Sequence, residues 1–122
     1  MSDITVVLLS PGCWADDTDA VAALNARLDL LSPTLPGRWA LRDLGARPDA
    51  WGGTKNPPAC YGAAFNHLPL DDFLRIVGEL TWTEPEAFQL FVMTERDDRY
   101  QALSLAELRA RPAAAAPPAA DA

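Results

Sequence analysis

Cysteine and histidine are the side chains best suited to act as a nucleophile and its base, and this chain has few of either. His67 is the only histidine, and Cys60, one of two cysteines, lies seven residues before it. A histidine activates a thiol only when the two side chains are within hydrogen-bond reach. If residues 60–65 form a strand, the extended chain separates the two residues by about 20 Å. We therefore predict no catalytic pair here.

Three aspartates lie close together near the N-terminus, at Asp16, Asp17 and Asp19. Carboxylate oxygens are ligands for a hard cation such as Mg²⁺. Aspartate is also typical of a helix start, where it accepts from free backbone N–H groups and favours the positive end of the helix dipole. The spacing lacks the central glycine of a calcium loop, so we interpret the cluster as a helix start. We expect no metal and no cofactor.

Several residues predicted to lie at the surface could instead bind a partner protein, since tryptophan is enriched at binding hot spots. The segment from Gly45 to Ala59 is about 15 residues long, a length at which structureless loops are usually functional or disordered. It contains Trp51 and the only lysine, Lys55. Other tryptophans fall in predicted loops or helix ends, and two aspartates fall at a predicted hairpin tip. The candidate partner-binding residues are Trp51, Lys55, Trp14, Trp82, Asp97 and Asp98.

The composition limits the class of partner. The chain has 122 residues, 49% of them hydrophobic, and a net charge of −7. This charge repels phosphate backbones and anionic membrane surfaces, and it attracts a basic protein. The longest apolar run is too short to span a bilayer, and no signal peptide is apparent. We expect a cytoplasmic protein that binds neither nucleic acid nor membrane.

The pattern of apolar residues predicts an α+β fold in the element order β-α-β-β-α-β-β. Two βαβ units joined in this way indicate a ferredoxin-like split βαβ arrangement, with helices on one face of an antiparallel sheet. Ser104 and Glu107 match a capping box, which predicts a short helix after the last strand. We expect one domain over residues 1–111 and a disordered Ala/Pro tail over 112–122. The predicted strands are Ile4–Leu9, Arg38–Leu44, Cys60–Phe65, Phe88–Met93 and Tyr100–Leu103, and the first helix is Asp17–Leu31.

The first strand is apolar on both of its sides, which is typical of a central strand. We expect Val7, Leu9 and either Leu90 or Phe91 to remain on the sheet face that no helix covers. An uncovered apolar face of this size predicts a partner site, and a two-fold homodimer is the commonest way to close one.

These observations favour a small, acidic, non-enzymatic protein-binding module, such as an inhibitor or immunity-type protein that neutralises a partner. The alternative is a small-molecule-binding protein or cofactor-free enzyme. In element order alone the chain is similar to dimeric α/β-barrel proteins, which include cofactor-free oxygenases. That resemblance implies a pocket between sheet and helices, with His67, Tyr61, Trp39 and Cys60 as its candidate residues.

Overall fold

The computed structural model describes residues 3–12, 16–32, 39–45 and 59–111. These residues form five strands and three helices, so the predicted α+β class is confirmed. The predicted tail, residues 112–122, lies outside the described residues. Of the helices in the described ranges, none has the length and apolar composition needed to span a bilayer. The elements are β1 (Ile4–Ser10), α1 (Thr18–Leu31), β2 (Arg42–Asp43), β3 (Tyr61–Asn66), α2 (Leu70–Glu79), β4 (Gln89–Thr94), β5 (Gln101–Ser104) and α3 (Leu105–Ala110).

The strands form one antiparallel sheet in the order β2-β3-β1-β4-β5. The apolar, β-branched β1 lies at its centre, between β3 and β4, as expected for a strand that is apolar on both sides. β3 separates β1 from β2, and β1 separates β3 from β4. Helices α1 and α2 therefore each connect two strands that have the same direction but are not neighbours.

All three helices pack against one face of the sheet. Val7 and Leu9 of β1 are fully buried in this core, as is Leu90 of β4. They share a cluster with apolar residues of α1, α2 and α3. In an antiparallel ladder, directly paired residues lie on the same face. Leu9 pairs with Tyr61 and with Leu90, so this row across the sheet points towards the helices.

The prediction that Val7 and Leu9 lie on the uncovered face is wrong. They form the covered face, and Val6 and Leu8 lie on the other one, half-buried. Of the two β4 candidates, Leu90 is covered and Phe91, which pairs with Leu8, is on the uncovered face. The alternation in β1 could not decide this, because both of its sides are apolar. The choice of face depends on which side the helices cover, and that is a property of the whole fold.

Arg38, the first residue of the predicted strand Arg38–Leu44, lies outside the described residues. Of the described remainder, only Arg42 and Asp43 pair with β3, so the strand is shorter there than predicted. Leu41 is buried, but its backbone leaves the ladder and bonds to a side chain of α1 instead. That side chain, Asn25, supplies an amide oxygen and an amide N–H, the same two groups that a neighbouring strand would offer.

The capping box predicted at the last helix is present. The backbone N–H of Glu107 donates to the Ser104 hydroxyl over 3.1 Å, and the N–H of Ser104 donates to the Glu107 carboxylate over 2.7 Å. Arg109 of the same helix donates to the carbonyl oxygens of Gly78 and Leu80 at the end of α2. These bonds attach α3 to α2 and complete the helical layer.

Candidate functional site

Two acidic segments that lie far apart in the sequence meet where β1 ends and α1 begins. Asp17 stands at the N-cap of α1, yet its side chain does not cap the helix. One carboxylate oxygen, Oδ1, accepts from the backbone N–H of Thr83 over 2.9 Å and from the Thr83 hydroxyl over 2.7 Å. These two hydrogen bonds hold the segment 82–88 against the start of α1.

Asp17 is a buried carboxylate, with 5% of its surface exposed. Its second oxygen, Oδ2, is also buried and has no hydrogen-bond partner. A buried carboxylate is costly unless it is bonded. Here the two bonds from Thr83 satisfy one of its oxygens, at the N-terminus of a 14-residue helix. Asp17 thus acts as a structural link between the two segments.

The residues on either side of this link form an acidic surface that we call the acidic end. Asp16 and Asp19 are exposed at the start of α1, Glu86 is exposed, and Glu84 is half-buried. Asp16 accepts from the hydroxyl of Thr18 over 2.8 Å, and the bonds from Thr18 lower the pKa of the Asp16 carboxyl.

Because Gly12 has no side chain, it leaves room for the side chain of Glu84 in the acidic end. Its φ of 133° lies in a region that favours glycine, and a Cβ at this position would collide with the carboxylate of Glu84. The turn after β1 therefore keeps the space that the Glu84 side chain fills.

The carboxylates at this end of the molecule affect the pKa of the Tyr61 hydroxyl. Burial raises the pKa of its hydroxyl, and the nearby charge of Asp43 raises that pKa further. A hydrogen bond with Thr18 acts in the opposite direction, and the charges of Asp16 and Asp17 add smaller upward effects. The carboxylates at the start of α1 and at the end of β2 thus act together on one group.

The carboxylates do not assemble into a metal centre. Within the part of the chain that the structure describes, no group of three or more His, Cys, Asp or Glu side chains is placed to hold a metal ion. The arrangement is instead a surface of separated negative charges, which suits several cationic side chains better than one ion.

Cys60 and His67 lie at opposite ends of β3, with the whole strand between them. Cys60 is half-buried and not in a disulfide. Burial raises the pKa of its thiol, and the charge of Asp43 raises it further. His67 is exposed, with a φ of 64°, and its backbone N–H donates to the carbonyl oxygen of Asp3. The thiol therefore has no neighbouring histidine to activate it.

The alternative pocket residues are not brought together either. Tyr61 lies at the same end of β3 as Cys60. Trp39 packs its ring edge-on against Phe65, near the other end of that strand, with 5.5 Å between the ring centres. Tyr61 and Trp39 both pack against the core cluster as half-buried residues.

Trp82 is a core residue, with 3% of its surface exposed. Its indole N–H donates to the carbonyl oxygen of Val77 over 2.9 Å, and its ring packs against Phe88. It therefore does not offer an exposed anchor to a partner. The other candidates of this kind, Trp14, Trp51 and Lys55, lie outside the described residues, as does most of the segment from Gly45 to Ala59.

Asp97 and Asp98 occupy the turn between β4 and β5, where the sequence placed them. Asp97 accepts from the backbone N–H and the hydroxyl of Thr94, which stabilises the turn. Asp98 is exposed and forms a loose ion pair with Arg99 at 3.6 Å. Asp98 is available at the surface, whereas the Asp97 carboxylate is already engaged within the hairpin.

The second notable surface is the sheet face opposite the helices, which we call the open sheet face. Its central residues are apolar, namely Val6, Leu8, Ala64, Phe91 and Met93. Val6 pairs with Ala64 on one side and with Met93 on the other, so these side chains form a continuous patch. None of the described helices covers it.

Comparison of the chain with protein-family models, with curated proteins and with solved structures gave no significant match. The functional argument therefore depends on the acidic end and the open sheet face. Sequence analysis interpreted Asp16, Asp17 and Asp19 only as a helix start. The sole available signal was their charge, because Asp17 and Thr83 are 66 positions apart in the chain.

Proposed function

We propose that this chain is a small, acidic, non-enzymatic protein-binding module of the inhibitor or immunity type, which neutralises a basic partner through its acidic end. The observation that carries the proposal is the bond between Asp17 and Thr83, because it joins two acidic segments into one surface. Asp16 and Asp19 on one segment and Glu86 on the other are each exposed to solvent.

The physics of such a surface suits rapid capture of a basic protein. Clustered charges of one sign steer an oppositely charged partner and raise the association rate, and salt weakens this effect. A net charge of −7 adds a long-range attraction. The same charge disfavours nucleic acid and anionic membranes as partners. The cytoplasmic location expected from the sequence belongs to this proposal.

We further infer that the sheet is a ferredoxin-like split βαβ with one added strand. The support is that β3 lies between β1 and β2, and β1 lies between β3 and β4, so each βαβ unit is split by a strand of the other. β5 extends the sheet beyond β4. The pairing of Ser10 with Gln89 puts the β1–α1 turn and the segment before β4 at the same end of the sheet, which is where the acidic end forms.

The alternative function, a small-molecule-binding protein or cofactor-free enzyme of dimeric α/β-barrel type, has one supporting observation. It is the open sheet face, since barrels of this type enclose a space between the sheets of two subunits. The residues proposed to line a pocket do not favour it, because Cys60 and His67 are at opposite ends of β3.

The test is to capture the partner from an extract of the protein's own cells and then to titrate the purified partner. Neutralising Asp19 and Glu86 to Asn and Gln should weaken binding by at least about tenfold, since charge pairs at interfaces contribute strongly. The matched control neutralises two exposed acids at the opposite end of the sheet, Asp3 before β1 and Glu95 after β4, to Asn and Gln. If the control variant loses as much affinity as the test variant, the acidic end is not the binding surface.

A further inference from the structure

The carboxylates of the acidic end form no ion pair with any described residue. They come from the start of α1 and from the segment before β4, namely Asp16, Asp17, Asp19, Glu84 and Glu86. The ion pairs between described residues lie elsewhere, in and beside the helices and in the β4–β5 turn. Arg109 is also engaged, because it donates to backbone carbonyl oxygens at the end of α2. The described part of the chain therefore leaves the negative charge of this surface without a paired cation.

The Asp17 carboxylate lies between the two acidic segments and has one oxygen unused. Its Oδ1 accepts both bonds from Thr83, the neighbour of Glu84 in the chain. The charges of Asp17 and Asp16 both raise the pKa of the Tyr61 hydroxyl, so the two carboxylates lie in one cluster. Asp17 has only 5% of its surface exposed, and its Oδ2 is buried without a hydrogen-bond partner. A buried acceptor of this kind is costly to leave unpaired, which indicates a donor from outside the chain.

We propose that the acidic end holds one arginine side chain of the basic partner, whose guanidinium group donates to Oδ2 of Asp17 and to the carboxylates of Asp16 and Glu84. This inference rests on the proposed function and adds the chemical group that the partner must present. A guanidinium group carries several N–H donors in one plane, so a single group can bond to carboxylates on both acidic segments.

The surroundings of Oδ2 favour arginine over other ligands. Within the described ranges, no group of three or more His, Cys, Asp or Glu side chains is placed to hold a metal ion. A lysine ammonium is compact and strongly hydrated, whereas a guanidinium group is weakly hydrated and costs less to bury. A helix N-terminus alone would favour an anion. Here Asp16 already accepts from the N–H and the hydroxyl of Thr18, and its charge repels a second anion.

The guanidinium group must displace part of the chain to reach Oδ2, because this oxygen is buried in the free protein. Glu84 is suited to move, since it is half-buried, follows Thr83 in the chain and forms no ion pair with a described residue. Its carboxylate rests against Gly12, in the space that a Cβ at that position would fill. When the side chain turns away from Gly12, its charge is paired again by the incoming arginine.

The test is a titration of the full chain with a blocked arginine, Nα-acetyl-L-argininamide, followed by the backbone amide resonance of Thr83 in NMR spectra. This resonance reports on the site, because the Thr83 N–H donates to the Asp17 carboxylate over 2.9 Å. The arginine derivative should bind at least about threefold more tightly than the lysine derivative of equal charge. The citrulline derivative, which has the same shape but no charge, should not shift the resonance.

Three single substitutions that each remove one negative charge locate the site. Asp17→Asn should raise the Kd of the arginine derivative by at least about fivefold, because it puts an amide donor at one oxygen position but keeps an acceptor for Thr83. Asp16→Asn leaves the link between Asp17 and Thr83 intact and should also raise this Kd. Asp3→Asn, an exposed acid at the other end of the sheet, should leave it within about twofold. The NMR spectra verify that each variant is folded.

The inference is overturned if the lysine derivative binds as tightly as the arginine derivative, or if no derivative shifts the Thr83 resonance. It is also overturned if Asp16→Asn and Asp17→Asn bind the arginine derivative as well as Asp3→Asn does. The proposed function survives these results as long as neutralising Asp19 and Glu86 still weakens binding of the captured partner. Failure of the proposed function has a different signature, because that double variant would then bind the partner as the wild-type chain does.

Discussion

The side-chain amide of Asn25 forms two hydrogen bonds with the backbone of Leu41. Its oxygen accepts from the Leu41 N–H over 2.8 Å, and its nitrogen donates to the Leu41 carbonyl oxygen over 3.2 Å. For Leu41, the Asn25 side chain of α1 thereby takes the place of a neighbouring strand as the hydrogen-bond partner of the backbone. The relationship explains why β2 begins only at Arg42, and it attaches the residue before β2 to α1.

Replacing Asn25 by alanine should destabilise the protein by about 1–3 kcal/mol, since it leaves a part-buried N–H and a carbonyl oxygen unpaired. Asn25→Asp keeps the acceptor for the Leu41 N–H but places a carboxylate oxygen against the Leu41 carbonyl, so it should also be destabilising. Urea unfolding gives the free energies. Leu30→Ala, at a residue that is 85% exposed on the same helix, is the control. Equal stability of Asn25→Ala and the control would show that the two bonds contribute nothing.

The link between Asp17 and Thr83 should be a major contributor to stability at the acidic end. Asp17→Ala removes the acceptor of two hydrogen bonds and should cost about 1.5–3 kcal/mol. Asp17→Asn keeps an oxygen that can accept both bonds from Thr83, so it should cost less than Asp17→Ala.

Chemical denaturation of these variants, with Asp19→Ala as an exposed neighbour on the same helix, measures the effect. The interpretation fails if Asp17→Ala is no more harmful than Asp19→Ala. An equal loss for Asp17→Asn and Asp17→Ala would show that the negative charge, which both variants lack, contributes more than the two hydrogen bonds.

The capping box predicts a pH dependence of stability at low pH. The bonds from Ser104 lower the pKa of the Glu107 carboxyl from its ordinary value of 4.5. A carboxyl with a lowered pKa in the folded state stabilises the fold at pH values above 4.5, and that contribution is lost as the pH falls through the folded-state pKa. Glu107→Gln should therefore make the unfolding free energy less dependent on pH below 4.5. An unchanged pH profile in this variant would contradict the prediction.

Cys60 should react slowly with alkylating reagents at neutral pH. Its thiol pKa is raised above the ordinary value of 9.0 by burial and by Asp43, and the thiolate is the reactive form. The rate of iodoacetamide labelling, followed by mass spectrometry of the Cys60 peptide, should rise only above pH 9. Asp43→Asn should move this rise to lower pH. Rapid labelling at pH 7 would instead indicate an activated thiol and would revive the enzyme alternative.

Much of the element pattern follows from local sequence, because it depends on residues close together in the chain. The apolar run of β1, the apolar periodicity of α1 and the pair Ser104 and Glu107 each predict an element that the structure contains. The end of a strand is harder to predict. The chain around Leu41 has a strand-like sequence, but Asn25, 16 residues earlier, takes its hydrogen bonds.

The sequence by itself determined the α+β class, the acidity of the chain and the wide separation of Cys60 from His67 along β3. Only the tertiary structure decided which side of β1 is covered, since both sides are apolar and either could pack against the helices. It also decided that Trp82 is core rather than surface, and that Asp17 meets Thr83. Such contacts join residues distant in the chain, and the free energy that favours them comes from packing and burial of the whole fold rather than from local preference.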